Sequence, residues 1–303
     1  LNSEIIKNFG KIVPEENILV DEPMSRHTTF RTGGPASCFI RIGSVEQLQQ
    51  MLAYLNKLEQ EYYIVGNGSN LLVSDKGYNG VILSMTGAYN QIECRGNIIT
   101  AGAGAVNSQV AAVARDNSLT GFEFAAGIPG TIGGALVMNA GAYGGEMKQV
   151  VKTVDILNPE GEIMTLDNET MEFGYRTSAV KNTRHIIIQT TLELQKGNQE
   201  EIKATMEDLA ARRRDKQPLE YGSAGSTFKR PEGHFAGKLI QDAGLRGESI
   251  GDAQVSEKHC GFIINRGNAS ASEVYELIKR VQARVYENSG INLETEVIML
   301  GEF

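Results

Sequence analysis

The sequence predicts an α+β fold, with β-rich lobes in the first two thirds of the chain and a helix-rich unit after them. Three observations carry that reading. Apolar residues recur at helical spacing in some segments and gather in short β-branched runs in others, interleaved along the chain. Glycine is abundant and uneven: 34 of 303 residues, with eight between Gly121 and Gly145. Composition shifts near residue 198, where charged helical sequence replaces strands. A chain of this length corresponds to about two or three domains and can bury a core without disulfide or metal staples.

A helix is predicted over 44–60, where Val45, Leu48, Leu52, Leu55 and Leu58 share a face and Ser44 with Gln47 forms a capping box. The strand Tyr62-Tyr63-Ile64-Val65 runs into Gly66-Asn67-Gly68-Ser69-Asn70 and then Leu71-Leu72-Val73. Val81-Ile82-Leu83 is a further strand, and Ile98-Ile99 lead through Gly102 and Gly104 to a helix near Ser108–Arg115. Strands are expected over 150–157 and 162–166 around the turn Asn158-Pro159-Glu160-Gly161, and again at 186–188 and 192–194. Residues 200–216 read as a charged helix with Ile202, Met206 and Leu209 on one face, ended by Pro218. The plainest helix is 272–287: Val274, Leu277, Ile278, Val281 and Val285 form its face, Ser270 and Glu273 its capping box, and Gly290 its stop. Residues 293–300 are predicted as a final strand.

Composition and charge exclude several classes. Hydrophobic residues make up 41% and charged residues 22%, unlike a disordered or fibrous chain. No stretch approaches 18 uninterrupted apolar residues, so no membrane-spanning helix is predicted. Glu4, Lys7, Lys11, Glu15 and Glu16 interrupt the first twenty residues, so no secretory leader is expected within them. The net charge of −8 argues against a nucleic-acid backbone as partner. Cys38, Cys94 and Cys260 are odd in number and widely spaced, which suits a reducing cytoplasm rather than a disulfide framework. His259 adjoins Cys260, but nothing else stands at metal-ligand spacing, and no metal is expected.

Two glycine-rich segments are the candidates for chemistry. Gly66–Asn70 follows an apolar strand yet lacks the dinucleotide fingerprint, because Leu71 stands where a glycine is needed; no Walker A loop is present either. Its amides with Ser69 and Asn70 suit an anion nest, and a plain turn is the alternative. The second segment, Gly121–Ala142, is apolar, small and sparsely charged. Glycine lets main chain approach a flat ligand; a tight, turn-rich core connection is the alternative.

These two segments resemble the FAD domain of the vanillyl-alcohol-oxidase type. With His27-Thr28-Thr29-Phe30-Arg31-Thr32-Gly33-Gly34, Phe173-Gly174-Tyr175-Arg176-Thr177-Ser178, Gly225-Ser226-Thr227-Phe228-Lys229-Arg230-Pro231 and Leu293-Glu294-Thr295-Glu296-Val297, the whole chain resembles the UDP-N-acetylenolpyruvoylglucosamine reductase family. The resemblance implies a noncovalent FAD held by Gly66, Asn67, Gly68, Ser69, Asn70, Leu71, Gly127, Ile128, Pro129, Gly130, Thr131, Gly133, Gly134, Asn139, Ala140 and Gly141. It implies NADPH as reductant, a UDP-sugar enolpyruvyl ether as substrate, and UDP-N-acetylmuramate for peptidoglycan as product. It places Arg176 on the negative charge that develops at the substrate carboxylate, Ser226 as the general acid to carbon, and Glu296 as a hydrogen-bonding partner of the same intermediate. Tyr175 and Lys216 match residues expected at the substrate.

The same residues have ordinary readings. Arg176 alone suits a surface ion pair, Ser226 a turn cap, and Arg212-Arg213-Arg214 with Lys216 a solvated helix end. On a half-exposed strand, Glu296 shares a face with Glu294. Only about 50 positions separate Arg176 from Ser226, which matches the family's shorter class, without the inserted segment that closes over substrate. The implied division is 1–84 with the terminal strand 296–303 as FAD-binding lobe 1, 85–217 as FAD-binding lobe 2, and 218–295 as a smaller α+β substrate-binding domain. A monomer is expected, with no nucleic-acid or membrane partner. A flavin oxidase of the same fold using oxygen, and a nucleotide-binding module without catalysis, are the alternative classes.

Overall fold

The computed structural model describes residues 3–87 and 89–303. The chain divides into two compact units, neither continuous in sequence. Unit 1 comprises Leu1–Leu19, Cys38–Asn67 and Gly80–Arg212; unit 2 comprises Val20–Ser37, Gly68–Asn79 and Arg213–Phe303. Helices in chain order are α1 (Ser3–Phe9), α2 (Val45–Lys57), α3 (Asn107–Asp116), α4 (Ile132–Val137), α5 (Gln199–Lys216), α6 (Ala236–Asp242) and α7 (Ala271–Ser289). Among the described residues no helix is long and apolar enough to cross a membrane.

Unit 1 holds two cores. One forms on an antiparallel five-stranded sheet ordered Ile163–Asp167, Val151–Leu157, Ile186–Glu193, Ile98–Gly102, Ile92–Arg95. Val110, Ala111 and Ala114 of α3 and Ile132, Ala135 and Leu136 of α4 are buried with Ile99, Ala101, Val154, Ile156 and Leu192 of that sheet. In the other core, Leu48, Met51, Leu52 and Leu55 of α2 are buried with Val81 and Leu83. There Tyr62–Val65 pairs in parallel with the end of Tyr78–Ser84, Tyr62 opposite Val81 and Val65 opposite Ser84. That register delivers the chain into the Gly66 loop from buried Val65, at the carboxyl end of the strand.

Unit 2 gathers α6 and α7 on a small antiparallel sheet of Ser249–Ile250, Ala253–Val255 and Ile263–Asn265. Val274, Leu277, Ile278, Val281 and Val285 of α7 are completely buried there. Burying each such side chain is worth about 1.5–3 kcal/mol. Leu71–Val73 belongs to this unit, paired in parallel with Ile298–Leu300.

Most predicted elements stand within a residue or two. The 186–188 and 192–194 segments are one strand, Ile186–Glu193. The final strand is shorter than 293–300: Ile298–Leu300 is regular, while Thr295 makes only an isolated bridge with Phe228. Ser44 caps α2 by accepting the Gln47 N–H at 3.2 Å, but the Gln47 side chain accepts from Gly43 N–H at 2.7 Å, so the reciprocal half of the capping box is displaced by one residue.

Candidate active site

The residues singled out by sequence fall into two sets, one in each unit. Unit 1 holds Gly66, Asn67, the segment Gly127–Gly141, Tyr175 and Arg176. Unit 2 holds Gly68, Ser69, Asn70, Leu71, Lys216, Ser226 and Glu296.

In unit 1 the second glycine segment is pinned from behind. The main chain of Val106 bridges Thr131, the Asn107 N–H donates to Gly130 O at 3.2 Å, and Asn107 Nδ2 donates to Ile128 O at 3.4 Å. The Ile132 N–H bonds Ala105 O and the Gly133 N–H bonds Ala103 O, both at 2.8 Å. Thr131 Oγ1, capping α4, accepts the Gly134 N–H at 3.5 Å. A Cβ on Gly66 would run into that same hydroxyl, so the start of the first loop lies directly against Thr131.

Several glycines therefore serve close packing within the protein. A Cβ on Gly133 would lie 3.0 Å from Ala103 Cβ, and one on Gly145 would enter the Phe124 ring. Gly134 differs: it is exposed, and the nearest atom to a Cβ there is Thr131 Oγ1 at 3.8 Å. The amides of Ile128, Ile132, Gly133, Asn139 and Ala140 are all bonded to carbonyls of the same unit. The packing explanation of the cluster thus applies to Gly133 and Gly145.

Tyr175 and Arg176 form the tip of a tight turn closed by two bonds between Gly174 and Thr177, N–H to O at 3.1 and 3.3 Å. Tyr175 is exposed and Arg176 half-buried. The Arg176 guanidinium lies 5.1 Å from the Tyr175 ring centroid, and its Nη2 donates to Gly141 O at 3.4 Å. Arg176 is thereby directed at the end of the second glycine segment. Asn139 has its side chain engaged at both ends, with Nδ2 donating to Gly174 O at 3.0 Å and Oδ1 accepting the Lys148 N–H at 2.9 Å.

In unit 2 the first loop turns at Gly68, φ +58, where a Cβ would collide with the His27 carbonyl. The Thr29 N–H donates to Gly68 O at 3.2 Å. Asn70 Nδ2 donates to the Glu296 carbonyl at 3.0 Å, and the Ile298 N–H donates to Asn70 O at 2.9 Å. The Glu296 N–H donates to Thr227 O at 2.9 Å. The end of the first glycine loop, the carboxylate-bearing segment and the residue after Ser226 are thus joined by consecutive main-chain bonds.

Ser226 follows Gly225, φ +75, and is exposed between buried Ala224 and buried Thr227. Thr227 holds that loop down: its N–H donates to Gly261 O at 2.8 Å and its hydroxyl accepts the Ile263 N–H at 3.0 Å. Glu294 is exposed and ion-paired with Lys229 at 2.9 Å, which pulls its carboxyl below the ordinary value. Glu296 is half-buried, so the two acids that alternation placed on one face have different surroundings. Lys216 is exposed in the last turn of α5. Burial lowers the pKa of His259 and raises that of Cys260. Among the described residues no group of three or more His, Cys, Asp or Glu is arranged to hold a metal.

Sequence reasoning missed Asn107 and Thr227, which fix the loops rather than line them. An asparagine opening a helix and a threonine beside a proposed acid are faint signals that only their hydrogen bonds make legible.

Comparison with known proteins bears on both sets. Residues 36–167 match the family model described as FAD binding domain, and residues 217–300 match that of the UDP-N-acetylenolpyruvoylglucosamine reductase C-terminal domain. The sequence is 50% identical over 301 residues to the UDP-N-acetylenolpyruvoylglucosamine reductase of Clostridioides difficile strain 630, covering 99% of each chain. It is 50% identical over 292 residues to the enzyme of the same name from Clostridium kluyveri, covering 96% of each. The crystal structure of UDP-N-acetylenolpyruvylglucosamine reductase from Thermus caldophilus is similar with a TM-score of 0.81 at 33% identity, over 94% of this chain and 98% of that one.

Proposed function

The chain belongs to the UDP-N-acetylenolpyruvoylglucosamine reductase family, and from that premise we propose that Arg176, Ser226 and Glu296 carry its proton and charge chemistry, with NADPH as reductant. It is an FAD-dependent oxidoreductase that converts UDP-N-acetylglucosamine enolpyruvate to UDP-N-acetylmuramate in peptidoglycan precursor synthesis. We place the reaction in the cytoplasm, where the nucleotide-sugar substrate and the reductant are found.

The residues present fit FAD. Asn107 Oδ1 and Thr29 Oγ1 are buried without a hydrogen-bond partner among the described residues, one behind each glycine loop. Such atoms cost about 1–3 kcal/mol when left unsatisfied, which suits loops that complete their bonding around a ligand. The polar groups of these loops are neutral: Asn67, Ser69, Asn70 and the Thr131 hydroxyl, with Gly134 exposed beside them. Main chain from Gly66 to Leu71, Gly127 to Gly134 and Ala140 to Gly141 would hold the dinucleotide. When bound, FAD supplies the hydride chemistry that no side chain can perform.

The protein's own part is charge and proton management. Arg176 stabilises the negative charge that grows on the substrate carboxylate, with its guanidinium steadied by the Gly141 carbonyl and the Tyr175 ring. Ser226 Oγ delivers the proton to carbon. Glu296 hydrogen-bonds the same charge-rich group. Tyr175 and Lys216 contact the UDP-sugar. The observation that carries this reading is the bonded chain from Asn70 through Glu296 to Thr227, which couples the cofactor loop to the residue beside the proton donor.

The test is direct. The purified protein should show flavin absorbance, or acquire it on adding FAD, and should oxidise more than one equivalent of NADPH per flavin only when the enolpyruvyl sugar is present. NADPH consumption sustained by oxygen alone would instead mark an oxidase, and a colourless protein that refuses FAD would remove the reading.

A further inference from the structure

We propose that Asn139 is a positioning residue for Arg176, acting on the turn that carries the guanidinium rather than on the cofactor. The inference rests on the reading of Arg176 above.

Asn139 follows α4 at φ +43 and is 1% exposed. Asparagine tolerates the left-handed region better than other branched or bulky residues. Its side chain ties two segments that sequence separates. Nδ2 donates to Gly174 O at 3.0 Å, and Oδ1 accepts from Lys148 N–H at 2.9 Å. Each polar end thus has a partner within the same unit.

The Gly174 carbonyl is the anchor of the turn. It already accepts the Thr177 N–H at 3.3 Å, so Asn139 supplies its second hydrogen bond. Arg176 stands at φ +55, an uncommon conformation for a residue with a long side chain. Such conformations persist where the surroundings over-determine them. Three tethers do so here: Asn139 on Gly174, Ser178 Oγ on Val137 O at 2.9 Å, and Lys181 Nζ on the Arg176 carbonyl at 2.7 Å. Thr177 closes the turn on itself, but Asn139 and Ser178 fix it to the end of α4. Without Asn139 the turn would still close, and its tip would shift relative to Gly141, where the guanidinium is directed.

The test compares wild type, Asn139→Gly, Arg176→Ala and the double variant as FAD-loaded proteins. Glycine accepts φ +43 without strain, so the substitution removes the side chain and little else. The readouts are the FAD dissociation constant, the rate of flavin bleaching by NADPH, and the rate at which the enolpyruvyl sugar restores the absorbance. Asn139→Gly should slow the last step about ten- to a hundredfold, as displacement of a catalytic group by about 1 Å does. It should leave FAD affinity and bleaching within about twofold, and should add nothing in the Arg176→Ala background. Multiplicative losses in the double variant, a wild-type rate in the single one, or a parallel tenfold loss of FAD affinity would each overturn the proposal. If Arg176→Ala itself restores absorbance at the wild-type rate, the reading of Arg176 fails and takes this one with it. Should Asn139→Gly fail to fold, Asn139→Asp keeps the acceptor for Lys148 N–H and turns the donor to Gly174 into a carboxylate oxygen that repels that carbonyl. The same outcomes are required of it.

Discussion

Ser226, the proposed proton donor, is an exposed hydroxyl and a weak acid, and that role would depend on where Thr227 holds it. Thr227 is completely buried: its N–H donates to Gly261 O, its hydroxyl accepts the Ile263 N–H and its carbonyl accepts the Glu296 N–H. Ser226→Ala should therefore fold normally and still let NADPH bleach the flavin. Restoration of absorbance by the enolpyruvyl sugar should fall about 10²–10⁴-fold, the usual contribution of a positioned acid; stopped-flow absorbance measures both halves. Glu294 and Glu296 provide a paired control. Glu296→Gln should slow the same half-reaction, whereas Glu294→Gln should leave it unchanged, because Glu294 is engaged by Lys229 at the surface. An equal loss in both would assign the effect to the segment's charge rather than to Glu296. Alternation along 293–297 does not separate these two acids; the family motif favours Glu296, and the Lys229 ion pair of exposed Glu294 gives the two side chains different surroundings.

At the scale of elements, α7 shows how much local sequence specifies. Ser270 and Glu273 form the capping box foreseen for it, and Gly290 ends it at φ +71. What sequence did not reveal is a second cap from far away. The Asp75 carboxylate accepts the N–H groups of Ala271 and Ser272, both at 2.8 Å. Burial alone would raise the Asp75 pKa, but hydrogen bonds from Ser272 and Ala271 outweigh it and the net shift is downward. A lowered folded-state value means the contribution is fully present above the unfolded value of about 3.9. It is lost as pH falls through the folded value. Asp75→Asn should cost about 0.5–1 kcal/mol at neutral pH, the lower range for a cap because the site is exposed. Its denaturation midpoint should converge with wild type as pH falls past the unfolded carboxylate value and through the lowered folded one; parallel curves across the whole range would deny the linkage. The short helices α4 and α6 carried no such signal, at six and seven residues. Too few turns exist there for periodicity to register, and packing rather than propensity stabilises them.

For the molecule as a whole, a ligand that binds only the folded state adds stability by mass action. FAD at about a hundred times its dissociation constant should add about 2.7 kcal/mol. In a chain of 303 residues that raises the melting temperature by several degrees. A melting temperature unmoved by saturating FAD would deny that the flavin is part of the native assembly.

The sequence by itself determined the α+β class, the long helices with their caps, the two glycine loops and the order of the motifs. These depend on neighbours along the chain, or on residue types that one reaction demands. Only the tertiary structure decided which glycines serve close packing and which have space around them, since Gly133 is set by Ala103 while Gly134 is exposed. It alone drew Asn70, Glu296 and Thr227 into one bonded series, and tied Asn139 to the turn of Arg176. Hydrogen bonds across 35 or 226 positions leave no periodic trace in a linear chain. They exist only after separate cores have fixed where each loop begins and ends.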